Sequence, residues 1–229
     1  MEDVQVAPWI LVIPVKRTAI AKSRLAAAYP QHRPELARAF AADTTTAALA
    51  SPLVRAVLVV TDDPQVAADV TAAGARVVPD LPASPTHPSL GGLNEALTHG
   101  AAIAAAEFFG AGVAALSADL PALRPDELTA ALAACVADRS FVIDQPGTGT
   151  TMLAAAPGVA LDPRFGVGSA LAHQASGAVP LALPIPSVRR DVDTAADLAD
   201  AIQLGVGPHT ADVLSIVLGA ATGSEGLAC

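Results

Sequence analysis

WILVIPV (residues 9–15) is a short, uncharged run rich in β-branched residues, and the basic stretch KRTAIAKSRLA (16–26) follows it directly. A run of this length and composition predicts a buried β-strand. Similar runs recur at VRAVLVV (54–60), RVV (76–78), VAALS (113–117) and FVID (141–144). Helical stretches lie between these runs, at 33–49, 64–73, 93–107 and 125–137. The alternation predicts an α/β fold with a mostly parallel sheet and helices on both faces.

Length and composition favour a single domain over residues 1–229. Hydrophobic residues make up 52% of the 229 and charged residues 15%, which excludes intrinsic disorder. After about residue 145 the pattern changes to short strands and loops, and it ends in a helix at 194–203. The core is therefore expected to span about 9–203, and the Gly-rich segment 204–229 carries no motif to which a function can be assigned.

The charge balance and the cysteines restrict the class of protein. A net charge of −9 and a pI of about 4.8 argue against nucleic acid as a partner. Cys135, in a predicted helix, and Cys229 form no CxxC pair, which fits a reducing cytoplasm without disulfides or thiolate metal sites. The acidic N-terminus does not resemble a signal peptide, and the apolar segment 100–118 is expected to be a helix, a turn and a strand rather than a membrane span.

Basic residues cluster where the first strand ends. Ligands of open α/β sheets bind beyond the carboxyl ends of the strands, which here follow Val15, Val60, Ser117 and Ile143. Lys16, Arg17, Lys22 and Arg24 lie in that position and are suited to hold a triphosphate. The alternative is a solvated basic loop, and the stretch lacks the glycines of a Walker A motif.

Aspartates occur in two further motifs, one after a predicted strand and one before the helix predicted at 194–203. Asp119 in LSADLPALRP (116–125) should project from the end of a strand, either as a ligand of Mg²⁺ or as a turn or capping residue. Asp191 and Asp193 in VRRDVDTAADL (188–198) are two apart on an extended segment, so their carboxylates face the same side. Like charges held together in this way favour a bound cation, and with Asp119 the pair could hold one or two Mg²⁺ ions.

Three further motifs are weaker taken singly. GTGTTMLAA (147–155) and PRFGVGSALAH (163–173) offer backbone N–H groups and hydroxyls, with Ser169 at the start of a helix over 170–176. Ordinary turns have the same composition. In GGLNEAL (91–97), Asn94 could read a base edge or a ribose hydroxyl, or could cap a helix. No histidine accompanies a nucleophile elbow, so acyl-transfer hydrolysis is unsupported.

Taken in order, the motifs resemble the guanylyltransferases of deazaflavin coenzyme F-420 biosynthesis over residues 10–203. The resemblance implies a single-domain, Rossmann-like nucleotidyltransferase fold, similar to that of molybdenum-cofactor guanylyltransferases. It implies transfer of GMP from GTP to phosphoenolpyruvate, 2-phospholactate or 3-phosphoglycerate with release of pyrophosphate. The Ala-rich composition resembles actinobacterial members, for which phosphoenolpyruvate is the expected acceptor.

The resemblance also assigns roles to residues. It implies that Lys16, Lys22 and Arg24 bind the triphosphate and that Asp119, Asp191 and Asp193 bind the metal. It implies that Thr151, Gly166 and Ser169 bind the acceptor. Gln145-Pro146 departs from the acidic or small residue of many members. A homodimer stays an open expectation.

Two rival interpretations remain. A sugar-1-phosphate or molybdenum-cofactor nucleotidyltransferase would normally carry a Gly-rich loop after the first strand, where this chain has IPVKRTAIAK. A non-catalytic GTP-binding module would have no need to keep the three aspartates together.

Overall fold

The computed structural model describes residues 8–16, 25, 28–81 and 92–224. Within them, seven strands form one sheet: β1 (Trp9–Pro14), β2 (Val54–Val60), β3 (Arg76–Val78), β4 (Gly112–Leu116), β5 (Arg139–Ile143), β6 (Thr150–Ala155) and β7 (Val179–Pro180). The same residues form eight helices: α1 (Arg33–Leu49), α2 (Pro64–Ala72), α3 (Leu93–Glu107), α4 (Pro125–Ala133), α5 (Ser169–Ala175), α6 (Pro186–Arg189), α7 (Ala195–Leu204) and α8 (Pro208–Ser224).

The sheet is mixed, with strand order β3-β2-β1-β4-β6-β5-β7. Strands β1 to β4 are parallel where they pair, whereas β6 runs antiparallel to both of its neighbours, β4 and β5. The amino end of β6 therefore lies at the same edge of the sheet as the carboxyl ends of β1 and β4. This reversal brings the GTGTT motif to the edge at which ligands bind in open α/β sheets.

Helices cover both faces of the sheet, as the sequence predicts. One apolar cluster joins one face to α1, α2 and α4, and a second joins the opposite face to α3 and α5. The central strand β1 is fully buried along its length, which explains why its sequence is continuously apolar rather than alternating.

Most predicted bounds agree with the structure, and α4 is the clearest exception. It ends at Ala133 rather than at 137, because the chain turns at Ala134 to enter β5 at Arg139. The prediction that Cys135 lies in a helix is therefore wrong. Its thiol is free, and burial raises its pKa to about 11, so it stays uncharged.

The segment from 100 to 118 contains the end of α3, a turn and buried β4, as predicted. Across the described ranges, the helices are too short or too polar to cross a membrane.

The chain after residue 204 forms helix α8, which the sequence analysis did not predict. Its start is fixed by α1, because the Asp43 carboxylate accepts the backbone N–H groups of His209 and Thr210 at 3.0 and 2.8 Å. A carboxylate in that position caps the helix and complements its dipole. A Cβ on Gly207 would lie 2.4 Å from Cγ of Asp43, so the approach requires glycine.

Candidate active site

A cavity of about 190 Å³ opens at the carboxyl ends of β1 and β4. The residues that line it come from β1, α1, α3 and β4 and from loops: Pro14, Val15, Lys16, Ala37, Leu93, Leu97, Leu116, Ser117, Ala118, Asp119 and Phe165. The cavity lies at the carboxyl ends of the strands, where ligands were predicted to bind. The described residues of its lining combine an apolar wall with one cation, Lys16, and one carboxylate, Asp119.

Asp119 stands three residues beyond the end of β4, and its backbone is held from two sides. The hydroxyl of Thr44 on α1 donates to the Ala118 carbonyl at 3.2 Å and accepts the Leu120 N–H at 3.1 Å. The Asp119 carbonyl accepts the N–H of Val192 at 3.0 Å. The backbone of the Asp191/Asp193 motif is therefore joined directly to that of the Asp119 motif.

Burial alternates along the segment that carries Asp191 and Asp193. Val192 is fully buried, while Asp191 is half-buried and Asp193 is exposed. The alternation is what a segment with Asp191 and Asp193 on one side and Val192 on the other would show. Thr194 is the N-cap of α7, because its hydroxyl accepts the Asp197 N–H and Asp197 completes a capping box.

The Asp119 carboxylate is a suitable ligand for an Mg²⁺ ion that is also bound by a nucleotide. Within the described ranges, no three His, Cys, Asp or Glu side chains form a group that could hold a metal ion by themselves. Mg²⁺ in phosphoryl-transfer sites takes one or two carboxylates and completes its shell with substrate phosphates and water. Asp119, which lines the cavity and carries hard oxygen donors, fits that requirement.

Lys16 lines the cavity from the end of β1. Its Nζ lies 2.5 Å from Oδ2 of Asp80, which follows β3 and has a largely buried side chain. Sequence reasoning did not single out Asp80, since an aspartate after a strand is common. The predicted triphosphate residues Lys22 and Arg24 lie outside the described residues.

The motifs GTGTTMLAA (147–155) and PRFGVGSALAH (163–173), here called the two Gly-rich motifs, contact each other through their backbones. The N–H of Ala170 donates to the Thr148 carbonyl at 3.1 Å, which joins the start of α5 to the turn before β6. Gly166 has φ of +136°, a conformation open to glycine, and its carbonyl accepts the Ser169 N–H at 3.1 Å. Thr151 is fully buried, and its hydroxyl has no hydrogen-bond partner among the described residues.

Asn94 makes a contact that neither sequence interpretation anticipated. Its amide Nδ2 donates to the Phe165 carbonyl at 3.0 Å, and its Oδ1 accepts the Phe165 N–H at 2.8 Å. The N-cap of α3 is Gly92, so the capping interpretation of Asn94 is wrong. A contact of Asn94 with substrate stays a prediction; the structure assigns its amide to the loop that carries Gly166.

His173 is a buried residue of the same region that the sequence analysis passed over. Its Nε2 accepts the Arg164 N–H at 2.9 Å, so the ring proton sits on Nδ1 and is donated to the Thr150 hydroxyl, also at 2.9 Å. The ring packs edge-on against Phe165. Burial, with a smaller contribution from the nearby Arg164 guanidinium, lowers the His173 pKa to about 4. His173 is neutral and joins α5 to both Gly-rich motifs.

We expect stability to fall as the pH drops from 6.5 towards 4, because unfolding then lets His173 take up a proton. The folded pKa is below the unfolded value, so the contribution is complete above about pH 6.5 and is lost towards pH 4. Between pH 7 and pH 5 the expected loss is about 2 kcal/mol from this residue. Urea unfolding of wild type and His173→Gln measures it, with exposed His209→Gln as control. Equal pH slopes in wild type and His173→Gln would refute the assignment.

Comparison with solved structures identifies the fold as that of the nucleotidyltransferases. A cytidylyltransferase from Leptospira borgpetersenii superposes with a TM-score of 0.55 at 11% identity, covering 94% of this chain and 96% of that one. This likeness confirms the predicted fold class.

The chain belongs to the CofC-like guanylyl transferase family, whose model matches residues 9–221. Curated relatives include the phosphoenolpyruvate guanylyltransferase of Salinispora arenicola, which is 56% identical over 89% of this chain and 92% of its own length. The phosphoenolpyruvate guanylyltransferase of Geodermatophilus obscurus is 53% identical over 92% of this chain and 96% of its own length. The resemblance seen in the motifs is thereby confirmed.

Proposed function

We propose that this chain transfers the guanylyl group of GTP to phosphoenolpyruvate, in the cytoplasm, as a step of coenzyme F-420 biosynthesis. The products are pyrophosphate and enolpyruvoyl-2-diphospho-5'-guanosine. The names of relatives more than half identical to this chain support this acceptor. One structural observation carries the proposal: Lys16, Asp119 and Phe165, from the triphosphate, metal and acceptor motifs, line the same cavity.

In the proposed reaction, an oxygen of the acceptor phosphate attacks the α-phosphorus of GTP. The new P–O bond forms as the bond from the α-phosphorus to the bridging oxygen breaks, and pyrophosphate leaves with that electron pair. The acceptor phosphate is ionised at neutral pH, so no general base is required of the protein. Catalysis then depends on positioning and on neutralisation of charge.

Each part of the cavity has a task in this reaction. Lys16 places a compact positive charge where a triphosphate would lie. Phe165 lines the same cavity, and Asn94 and His173 hold the backbone on either side of it. This supports the proposal that the loop with Phe165 and Gly166 binds the acceptor. The N–H groups and hydroxyls of that loop can bind an anionic acceptor.

The proposed metal site centres on Asp119, with Asp191 and Asp193 on the segment whose backbone is joined to it through Val192. Because the three carboxylates, all within the described residues, do not form a metal-binding group by themselves, phosphates of the nucleotide would have to complete the shell of the ion. Mg²⁺ bound there with the triphosphate would neutralise charge that develops on the phosphates. The chain's own contribution is to hold the Asp119 carboxylate at the cavity, through the backbone contacts to Thr44 and Val192.

The test is pyrophosphate release from GTP and Mg²⁺ with each acceptor in turn: phosphoenolpyruvate, 2-phospholactate and 3-phosphoglycerate. We expect release with phosphoenolpyruvate at a rate well above that with the other two. Release with another acceptor would keep the reaction and replace the substrate. Release with none of them, from folded protein that binds GTP, would contradict the proposed function.

A further inference from the structure

Thr44 is a fully buried helix residue with an unusual hydrogen-bonding pattern. A threonine inside a helix commonly donates its hydroxyl proton to the carbonyl four residues earlier. Thr71, Thr98 and Thr129 do so in this chain, to Ala67, Asn94 and Pro125. Thr44 instead donates to the carbonyl of Ala118 and accepts the N–H of Leu120, 74 and 76 residues away.

The two contacts flank Asp119 in the sequence. Ala118 and Leu120 are the residues immediately before and after it, so one hydroxyl fixes the backbone on both sides. Leu120 is fully buried, and its N–H would lose its partner if the hydroxyl were absent. A buried donor without a partner is costly, so the loop would shift to satisfy it.

The effect extends to the second aspartate motif. The carbonyl of Asp119 itself accepts the N–H of Val192, between Asp191 and Asp193. A displacement of the backbone at Asp119 therefore moves the acceptor of that hydrogen bond. Hydrogen bonds therefore connect Thr44 with the Asp119 motif directly and with the Asp191/Asp193 motif through the Asp119 carbonyl.

We propose that Thr44 is a positioning residue for Asp119 and, through Val192, for the Asp191/Asp193 pair. It sets the affinity of the site for a divalent cation without touching the cation or the substrates. The proposal rests on the proposed function of these aspartates as metal ligands. Groups that orient metal ligands in this way typically change metal affinity by factors of about 10 to 100 when they are removed.

The chain provides a matched control on the neighbouring residue. Thr45 is also fully buried on α1, and its hydroxyl has no hydrogen-bond partner among the described residues. Thr44→Val and Thr45→Val therefore remove the same group from the same helix at the same depth. Thr44→Ser restores the hydroxyl, and Thr44→Ala removes it without adding a methyl group.

The experiment measures Mn²⁺ affinity in the presence of GTP by electron paramagnetic resonance, together with kcat and both KM values. We expect Thr44→Val and Thr44→Ala to weaken Mn²⁺ binding about tenfold or more, whereas Thr44→Ser and Thr45→Val stay within about twofold of wild type. Amide hydrogen exchange should accelerate at Leu120 in Thr44→Val and should be unchanged in Thr45→Val. If Thr44→Val does not fold, the comparison of Thr44→Ala with Thr44→Ser replaces it.

Two results would overturn the proposal, and they are distinguishable. If Asp119→Asn weakens Mn²⁺ binding but neither Thr44→Val nor Thr44→Ala does, Thr44 has no positioning role and the metal site stands. If Asp119→Asn and all Thr44 variants bind Mn²⁺ like wild type, the metal site itself is misassigned.

Discussion

Asp119→Asn should reduce kcat on the order of a thousandfold, because it removes the carboxylate charge from the cavity while keeping the shape of the side chain. Asp119 lines the cavity with Lys16, and its backbone contacts to Thr44 and Val192 do not involve the carboxylate. Those backbone contacts remain in Asp119→Asn, and we expect the fold to persist, with a melting temperature within about 2 °C of wild type. Pyrophosphate release under saturating GTP and phosphoenolpyruvate measures the effect.

Asp126→Asn is the matched control for Asp119→Asn. Asp126 is an exposed carboxylate seven residues away, and it pairs with Arg124 rather than with the cavity. Its substitution should leave kcat unchanged. Near-normal turnover in Asp119→Asn would remove Asp119 from the reaction, and an equal loss in both variants would indicate a general effect of charge.

Asn94→Asp should reduce kcat/KM for the acceptor about a hundredfold, since small displacements of positioning groups have effects of that size. The substitution replaces the amide N–H₂ that donates to the Phe165 carbonyl with a carboxylate oxygen, which repels that carbonyl. The loop carrying Gly166 is then released from α3. The helix itself should tolerate the change, because an acidic residue in the first turn complements the helix dipole.

The KM for GTP decides between the two roles considered for Asn94. If Asn94 only holds the Phe165 loop, the KM for GTP should stay within about twofold while that for the acceptor rises. If Asn94 contacts the nucleotide, the KM for GTP should rise at least as much. Thr98→Ala, an exposed change one turn later on α3, serves as control.

Much of the fold could be predicted from local pattern. The apolar runs became β1, β2, β3, β4 and β5, and the bounds of α1 match the prediction at both ends. These elements have sequences whose periodicity or composition suits their final environment. Helix α8 was missed because its start depends on Asp43, which is remote in sequence and carries no signal of that role.

The charged residues of the candidate site could be selected from the sequence, whereas the residues that hold its loops in place could not. Lys16 and Asp119 could be selected from their charge and their position after strands, and the Asp191/Asp193 pair from its spacing. Thr44 and His173 could not, because a single buried hydroxyl or imidazole has the same sequence appearance whether it positions a loop or merely fills the core. Asn94 was selected for its residue type, but its contact with Phe165 depends on tertiary structure.

The cap that Asp43 provides for α8 has a consequence for the order of events during synthesis. The residues whose N–H groups satisfy this buried carboxylate are made 166 and 167 residues after it. Until they emerge from the ribosome, the Asp43 carboxylate on α1 lacks its native hydrogen-bond donors. The surface of α1 that α8 covers also stays exposed. The nascent chain is therefore expected to depend on chaperones late in translation, and a stall before codon 209 should leave a protease-sensitive intermediate.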